Sequence, residues 1–183
     1  MQPTNVLIVV ASDSGRTLRM AEALAEGARE ISETVTVTSA AEAQNEQLLA
    51  ADAIVLGSGV HMAGMESSMR AFLERTAPLW MQGQLTGKLG AVFASGGAGG
   101  RGGGELTLIS LLATLAEHGL LLVPMHNRLD HFATAGCHWG PLAETNPGTG
   151  APGPTETQLA SARAHGRWVA ECAARWTPLN ELK

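Results

Sequence analysis

Apolar positions along this chain fall into alternating strand-like and helix-like segments. Val6–Ala11 is an unbroken, β-rich apolar run, as a strand buried on both faces requires. Residues 15–31 then place Leu18, Ala21, Leu24, Ala25, Ala28 and Ile31 at helical spacing. Thr34–Thr38 alternates strictly between Thr and Val, which predicts a strand nearer a sheet edge. A short polar helix over 40–50 and a third strand over Ala53–Leu56 follow, then a helix over Glu66–Thr76 with Met69, Phe72 and Leu73 inward. Leu89–Ala94 reads as a fourth strand. Glu105–His118 reads as a helix with Leu108, Leu111, Leu112 and Leu115 in one stripe, and Leu120–Pro124 as a fifth strand. Pro154–Thr157 opens a last helix that runs to about Arg175. Strand and helix alternate five times with mostly short connections. The expected fold is therefore α/β, a three-layer sandwich around five parallel strands in the order 2-1-3-4-5, as one domain over 1–183.

Residues 126–153 break the pattern. They combine prolines and scattered glycines with three histidines, a cysteine and a tryptophan. A structureless excursion of this length inside a compact domain is usually functional.

Three of the strands break into loops of small residues. The loops are Ser12-Asp13-Ser14-Gly15-Arg16-Thr17, then Gly57–Gly64, then Ser95–Gly104. In an open α/β sheet, ligands sit outside the carboxyl ends of the strands where the strand order reverses. The first loop offers hydroxyls and the N–H groups of a helix start, which suits a single phosphate. An ordinary helix cap has the same residue types. The other two loops suit a flat ring approached closely by backbone, and together the three point to a flavin mononucleotide (FMN) site. Around the ring, Arg16, His61 and Arg101 stand against Asp13, with Glu66 and Glu105 set back at helix starts. That balance favours direct two-electron reduction.

Composition and motifs remove competing chemistries. The net charge of −5 and the presence of only two lysines argue against nucleic acid, whose phosphates need clustered cations. No Walker A loop occurs, so nucleoside triphosphates are not expected. Gly97-Ala98-Gly99-Gly100-Arg101-Gly102 satisfies G-x-G-x-x-G, but Leu120–Met125 lacks the acid a dinucleotide site wants for its ribose. His126, His131, Cys137 and His138 fit no common zinc spacing, so no metal is expected. There is no G-x-S-x-G elbow and no side-chain nucleophile. No apolar run is long enough to span a membrane and no signal-like segment opens the chain, so the cytoplasm is the expected compartment. Only 16% of residues are charged, which leaves apolar surface to hide and favours a homo-oligomer.

Longer stretches carry a family resemblance. Met69-Arg70-Ala71-Phe72-Leu73-Glu74-Arg75-Thr76, Leu79-Trp80, Leu85–Lys88, Val92–Ser95 with its glycines and Glu105, His118-Gly119 and Val123-Pro124 are the most telling pieces. Gly136–Pro141 and the closing stretch Gln158–Gly166 extend the match over nearly the whole chain. The sequence resembles the WrbA type (tryptophan-repressor-binding protein type) of flavodoxin-like NAD(P)H:quinone oxidoreductase. The resemblance implies two-electron transfer from NAD(P)H to a quinone through FMN, in a homotetramer built as a dimer of dimers. It implies FMN contacts at Ser12, Asp13, Ser14, Gly15, Arg16 and Thr17, at Gly59, Val60, His61 and Met62, and at Ser95, Gly96, Gly97, Ala98, Gly99 and Gly100. It further implies substrate-side roles for Trp80, supplied across a subunit contact, and for Trp139. Each tryptophan is also readable as a packing anchor. The chain departs from the family pattern at Ser14, at Gly59-Val60-His61-Met62 and at Glu117. These departures leave an alternative open: an FMN-binding electron carrier or redox sensor with weak or no quinone reductase activity.

Overall fold

The computed structural model describes residues 4–97, 100–145 and 153–176. Strands β1 (Asn5–Ala11), β2 (Thr34–Ser39), β3 (Ala53–His61) and β5 (Leu89–Gly96) form the body of one sheet, with β6 (Leu121–Leu122) at its edge. The order is β2-β1-β3-β5-β6, and each neighbouring pair is parallel. This is the expected 2-1-3-4-5 order. Two short strands are added to it. β4 (Gly64–Met65) folds back antiparallel on β3, and β7 (Leu142–Glu144) pairs in parallel with the end of β5.

The fifth position of the sheet is therefore shared. β6 pairs with Leu89-Gly90 and β7 with Ala94–Gly96, and the chain between them leaves the sheet and returns. What reads in the sequence as a loop over 126–153 contains this returning strand and a short helix, α6 (Phe132–Ala135). Pairing with β5, and no local pattern, makes 142–144 a strand.

Successive residues of the central strands point to opposite faces, so each strand feeds two cores. Leu7, Val9, Ile54, Leu56, Val92 and Ala94 pack with α3 (Ser67–Arg75), α4 (Ala77–Met81) and α5 (Gly100–Glu117). Val6, Ile8, Val10, Val55, Ala91 and Phe93 pack under α1 (Arg16–Arg29) and α7 (Glu156–Ala173). The stripe Leu108, Leu111, Leu112 and Leu115 is buried as its spacing requires. β2 is only half covered, in keeping with its strict alternation. The remaining helix, α2 (Asn45–Ala50), is shorter than the 40–50 pattern suggests because 40–42 form a turn.

Two boundaries differ from the sequence reading in ways that shape the ligand end of the sheet. β3 continues through Gly57-Ser58-Gly59 to His61 instead of breaking at Leu56. Gly57 stays in the strand because the Phe93 ring lies across it, and a Cβ there would come within 1.9 Å of the ring. α5 begins at Gly100 instead of Glu105. Its glycines let the helix start close to its neighbours: a Cβ on Gly103 would sit 3.0 Å from the Ala63 backbone, and one on Gly104 would sit 2.6 Å from Leu142.

Candidate functional site

The carboxyl ends of β1, β3, β5 and β7 converge. Ala11 stands opposite Ser58, Ser58 opposite Ala94, Gly59 opposite Ser95 and Gly96 opposite Glu144. Above this row lies a cleft of about 100 Å³ lined by Asp13, Ser14, Arg16, Thr17, Gly59, Val60, His61, Ser95, Gly96, Gly97 and Thr145.

The first wall is the turn into α1. Gly15 has φ +79°, a left-handed conformation that costs most residues about 1–2 kcal/mol and glycine almost nothing. That turn brings Ser12 back over the helix, and its Oγ accepts from the Leu18 N–H at 3.1 Å. The first-turn N–H groups of Arg16 and Thr17 have no carbonyl four residues back within the helix, so they face outward as donors. A Cβ built on Gly15 would meet nothing within 4 Å, so the turn encloses open space.

The third wall is tied to the first. Thr17 Oγ1 and Ser95 Oγ are hydrogen-bonded at 2.7 Å, and both residues are buried. Thr145 anchors the same wall from the excursion: its N–H and its hydroxyl both donate to the Gly96 carbonyl, at 2.6 and 3.0 Å. Thr145 is absent from the sequence reading. Only the pairing of β7 with β5 brings it to the cleft, and that pairing leaves no local mark in the sequence.

The second wall is a hairpin. β3 and β4 are joined by Met62 and Ala63, with φ of +48° and +64°. Two consecutive left-handed residues are the signature of the tight turn that matches strand twist, for which Asn and Gly are the usual choices. Met and Ala there carry strain, and Met62 is fully exposed at the tip. Strain of this kind concentrates at functional sites. Beneath the hairpin, the Glu66 N–H donates to Ser58 Oγ at 2.8 Å, and Ser58 in turn donates to the Gly59 carbonyl. Ser68 donates to Glu66 Oε1 at 2.8 Å. Glu66 Oε2 is buried and has no partner among the described residues. It lies 3.5 Å from where a Cβ on Gly59 would be. Glu66 is thus not set back from the site, as its place at a helix start suggests, but turned toward Gly59.

The three walls bring together most of the residues singled out from sequence. Ser12 and Gly15 build the turn, and Met62 projects from the rim. Gly100 starts α5, and Ala98 and Gly99 lie outside the described residues. The two tryptophans stand elsewhere. Trp80, half exposed, lines a separate cleft of about 170 Å³ with Arg70, Glu74, Thr76, Glu117 and His118. In that cleft the Thr76 hydroxyl donates to the Leu73 carbonyl at 2.7 Å, so it is His118 Nε2–H that donates to Thr76 at 2.9 Å. Burial holds the His118 pKa below the ordinary imidazole value, against the pull of Glu117. Trp139 is exposed on the turn before β7. Of the excursion histidines, His126 packs edge-on against Trp168 and His138 against Phe132. Among the described residues, no three His, Cys, Asp or Glu gather where they could hold a metal ion.

The donor set fits a phosphate monoester carrying a ring. A helix start, the hydroxyls of Ser12, Ser14 and Thr17 and a glycine turn would receive the anion. A cleft of about 100 Å³ is smaller than the roughly 300–1,000 Å³ of pockets that enclose a whole ligand, so the ring would lie at the rim, by the hairpin.

Known proteins agree with this geometry. A family model for the flavodoxin domain matches residues 7–104. An NAD(P)H dehydrogenase (quinone) of Syntrophobacter fumaroxidans is 34% identical over 203 residues, covering 94% of this chain and 98% of its own. One from Methylocella silvestris is 36% identical over 196 residues, covering 93% and 97%. Among solved structures, a WrbA-like flavodoxin from Agrobacterium tumefaciens superposes with a TM-score of 0.76 at 26% identity, covering 95% of this chain and 99% of its own. Flavodoxin 1 from Bacillus cereus shares the fold, with a TM-score of 0.71 at 21% identity over 92% of this chain and 98% of its own. With one domain model spanning over half of its length and relatives above 30% identity over 93–94% of it, this chain belongs to the flavodoxin-domain family, beside the NAD(P)H dehydrogenase (quinone) proteins.

Proposed function

We propose that this protein is an FMN-dependent NAD(P)H dehydrogenase (quinone) of WrbA type. The observation that carries the reading is the cleft at the strand ends, where a left-handed glycine turn, the bonded Thr17–Ser95 pair and the β3–β4 hairpin meet. Ser12–Thr17 hold the phosphate through N–H groups and hydroxyls. Gly59–Met62 border one side of the ring by their backbone, and Ser95, Gly96 and Gly97 border the other. Bound FMN supplies the two-electron chemistry that links nicotinamide to quinone. The protein's part is to bind, orient and leave one face open to both substrates.

Trp80 fits a role across a subunit contact better than one within its own chain, because its cleft shares no lining residue with that at the strand ends. That supports a homotetramer in which Trp80 reaches a neighbour's ring. Trp139 is a second substrate-side candidate. No helix among the described residues is long and apolar enough to cross a membrane, which is compatible with a cytoplasmic protein.

The test is direct. Purified protein should be yellow, bleach on anaerobic addition of NADH or NADPH, and turn over with benzoquinone. Flavin-loaded protein that bleaches but does not turn over with benzoquinone would support the electron-carrier alternative. Protein that takes up no FMN would overturn the reading.

A further inference from the structure

A hollow larger than the cleft at the strand ends lies at the other end of the sheet. It has a volume of about 420 Å³ and opens between the carboxyl end of α7 and the sheet edge at β6. That size falls within the roughly 300–1,000 Å³ of pockets that enclose small molecules. Leu89, the first residue of β5, lines it, whereas Ser95 and Gly96 from the end of β5 line the cleft. At about 3.3 Å per residue the two places are about 20 Å apart along that strand. They share no lining residue.

Its walls are apolar and aromatic. Leu122, Val123 and Pro124 line it where the chain leaves the short β6. Trp168 of α7 and Trp176 just beyond the helix line it as well. Both indoles are tied to neighbours. Trp176 Nε1–H donates to the Gly87 carbonyl at 2.8 Å, and the Trp168 ring meets His126 edge-on with centroids 4.8 Å apart. Fixed indole walls favour a flat ring as occupant.

The polar groups of the cavity carry one sign. Arg175 is its permanent charge, and neither Asp nor Glu is among the lining residues. The Arg175 guanidinium makes no ion pair or hydrogen bond to another described residue, and the nearby Glu171 is bonded to Arg167 instead. His126 Nδ1 accepts from the Arg128 N–H at 3.2 Å, so the ring proton sits on Nε2, a donor without a partner among the described residues. Burial pushes the Cys172 thiol up to about 11, so its sulfur stays uncharged and does not repel an anion. Apolar walls with an unpaired guanidinium match a carboxylate borne on a flat ring.

We infer that this cavity is a second binding site, for a small planar aromatic carboxylate whose ring lies against Trp168 and Trp176 and whose carboxylate meets Arg175. The site stands apart from the quinone reductase reading and from FMN.

The experiment is calorimetric titration of the full-length protein, with FMN added, against 2-naphthoate and its uncharged analogue 2-naphthamide. A hydrogen-bonded charge pair should make naphthoate the tighter ligand by about tenfold. Arg175→Gln should erase that difference by weakening naphthoate alone. Leu122→Trp, at a position 40% exposed, should fill the hollow and weaken both ligands while FMN affinity stays unchanged. Equal affinity for the two ligands in wild type overturns the inference, as does binding of neither or unaltered naphthoate binding in Arg175→Gln. Displacement of naphthoate by FMN would place it in the strand-end cleft and overturn the second site. So would a rise of about tenfold in naphthoate affinity in the double variant Leu179→Ser/Leu182→Ser, which would give the cavity to the chain's own residues 177–183. Loss of assembly on sedimentation of Leu122→Trp would give it to a second copy of the chain, with the same consequence.

Discussion

Gly15 and His165 show how much one position can decide. At Gly15 a β-branched side chain would have to adopt φ near +79° inside the turn proposed to hold the phosphate. Gly15→Val should abolish FMN binding, because several hydrogen bonds to a charged group, each worth about 1.5–3 kcal/mol, depend on that turn. The strain should lower stability by about 1–3 kcal/mol while far-ultraviolet circular dichroism stays native. A variant that binds FMN as tightly as wild type would remove the phosphate assignment. His165 lies on α7, wholly buried, with its Nε2 at 3.1 Å from the Val123 carbonyl and no partner for Nδ1. Burial pushes its pKa down from 6.5 to about 4, with the Val123 carbonyl opposing and His126 adding to the fall. Because the folded value is the lower one, the unfolded chain binds the proton more readily. The His165 contribution is therefore complete above pH about 6.5 and is lost as pH falls toward about 4, a change of about 3 kcal/mol. Urea denaturation at pH 7 and pH 5 should show wild type weakening more than His165→Gln. Equal weakening of the two would mean that His165 is not the titrating group.

Among the elements, the contact of α1 with α7 is the most demanding. A Cβ on Gly166 would lie 2.0 Å from the Leu24 carbonyl oxygen, and one on Gly27 would lie 1.9 Å from that of Arg163. Backbone meets backbone at both points, so neither can give way by a side-chain rotation. Alanine is a better helix former than glycine by about 1 kcal/mol, which alone would make Gly166→Ala stabilising. Overpacking of about 1–3 kcal/mol or more acts the other way, and with backbone as the obstacle it should win. The urea midpoint of Gly166→Ala should fall, and a rise would show that the helices separate easily. The divided fifth position of the sheet matters for function in the same manner. Thr145 directly follows β7, so the excursion delivers a residue to the cleft as well as closing the sheet edge.

For the molecule as a whole, surface and assembly become one question. The exposed Trp80 and Met81, with Leu106 and Ile109 on α5, form apolar surface on the side of the sheet that packs α3 to α5. Exposed patches of this sort commonly mark contacts between subunits. Sedimentation of the FMN-loaded protein should give a species near four times 19.0 kDa. A clean monomer at micromolar concentration would rule out the tetramer and the shared role of Trp80 together.

The sequence by itself determined the alternation of strands and helices, the 2-1-3-4-5 order and the three loops of small residues that follow strands. Those features rest on local pattern: apolar runs, a helical leucine stripe, and glycines and hydroxyls directly after strands. Tertiary structure decided the rest. Gly57–Gly59 continue β3, with Phe93 lying across Gly57, and Gly100–Gly104 are helix although their composition suggests a loop. Leu142–Glu144 are strand because β5 offers an open edge, and Thr145 reaches the cleft only through that pairing. Glu66 and His61, five positions apart across a strained hairpin, converge on Gly59 only once β4 has folded back on β3. Each of these depends on contacts between residues distant along the chain or on a turn whose residues are atypical for it, and neither leaves a periodic trace in the sequence.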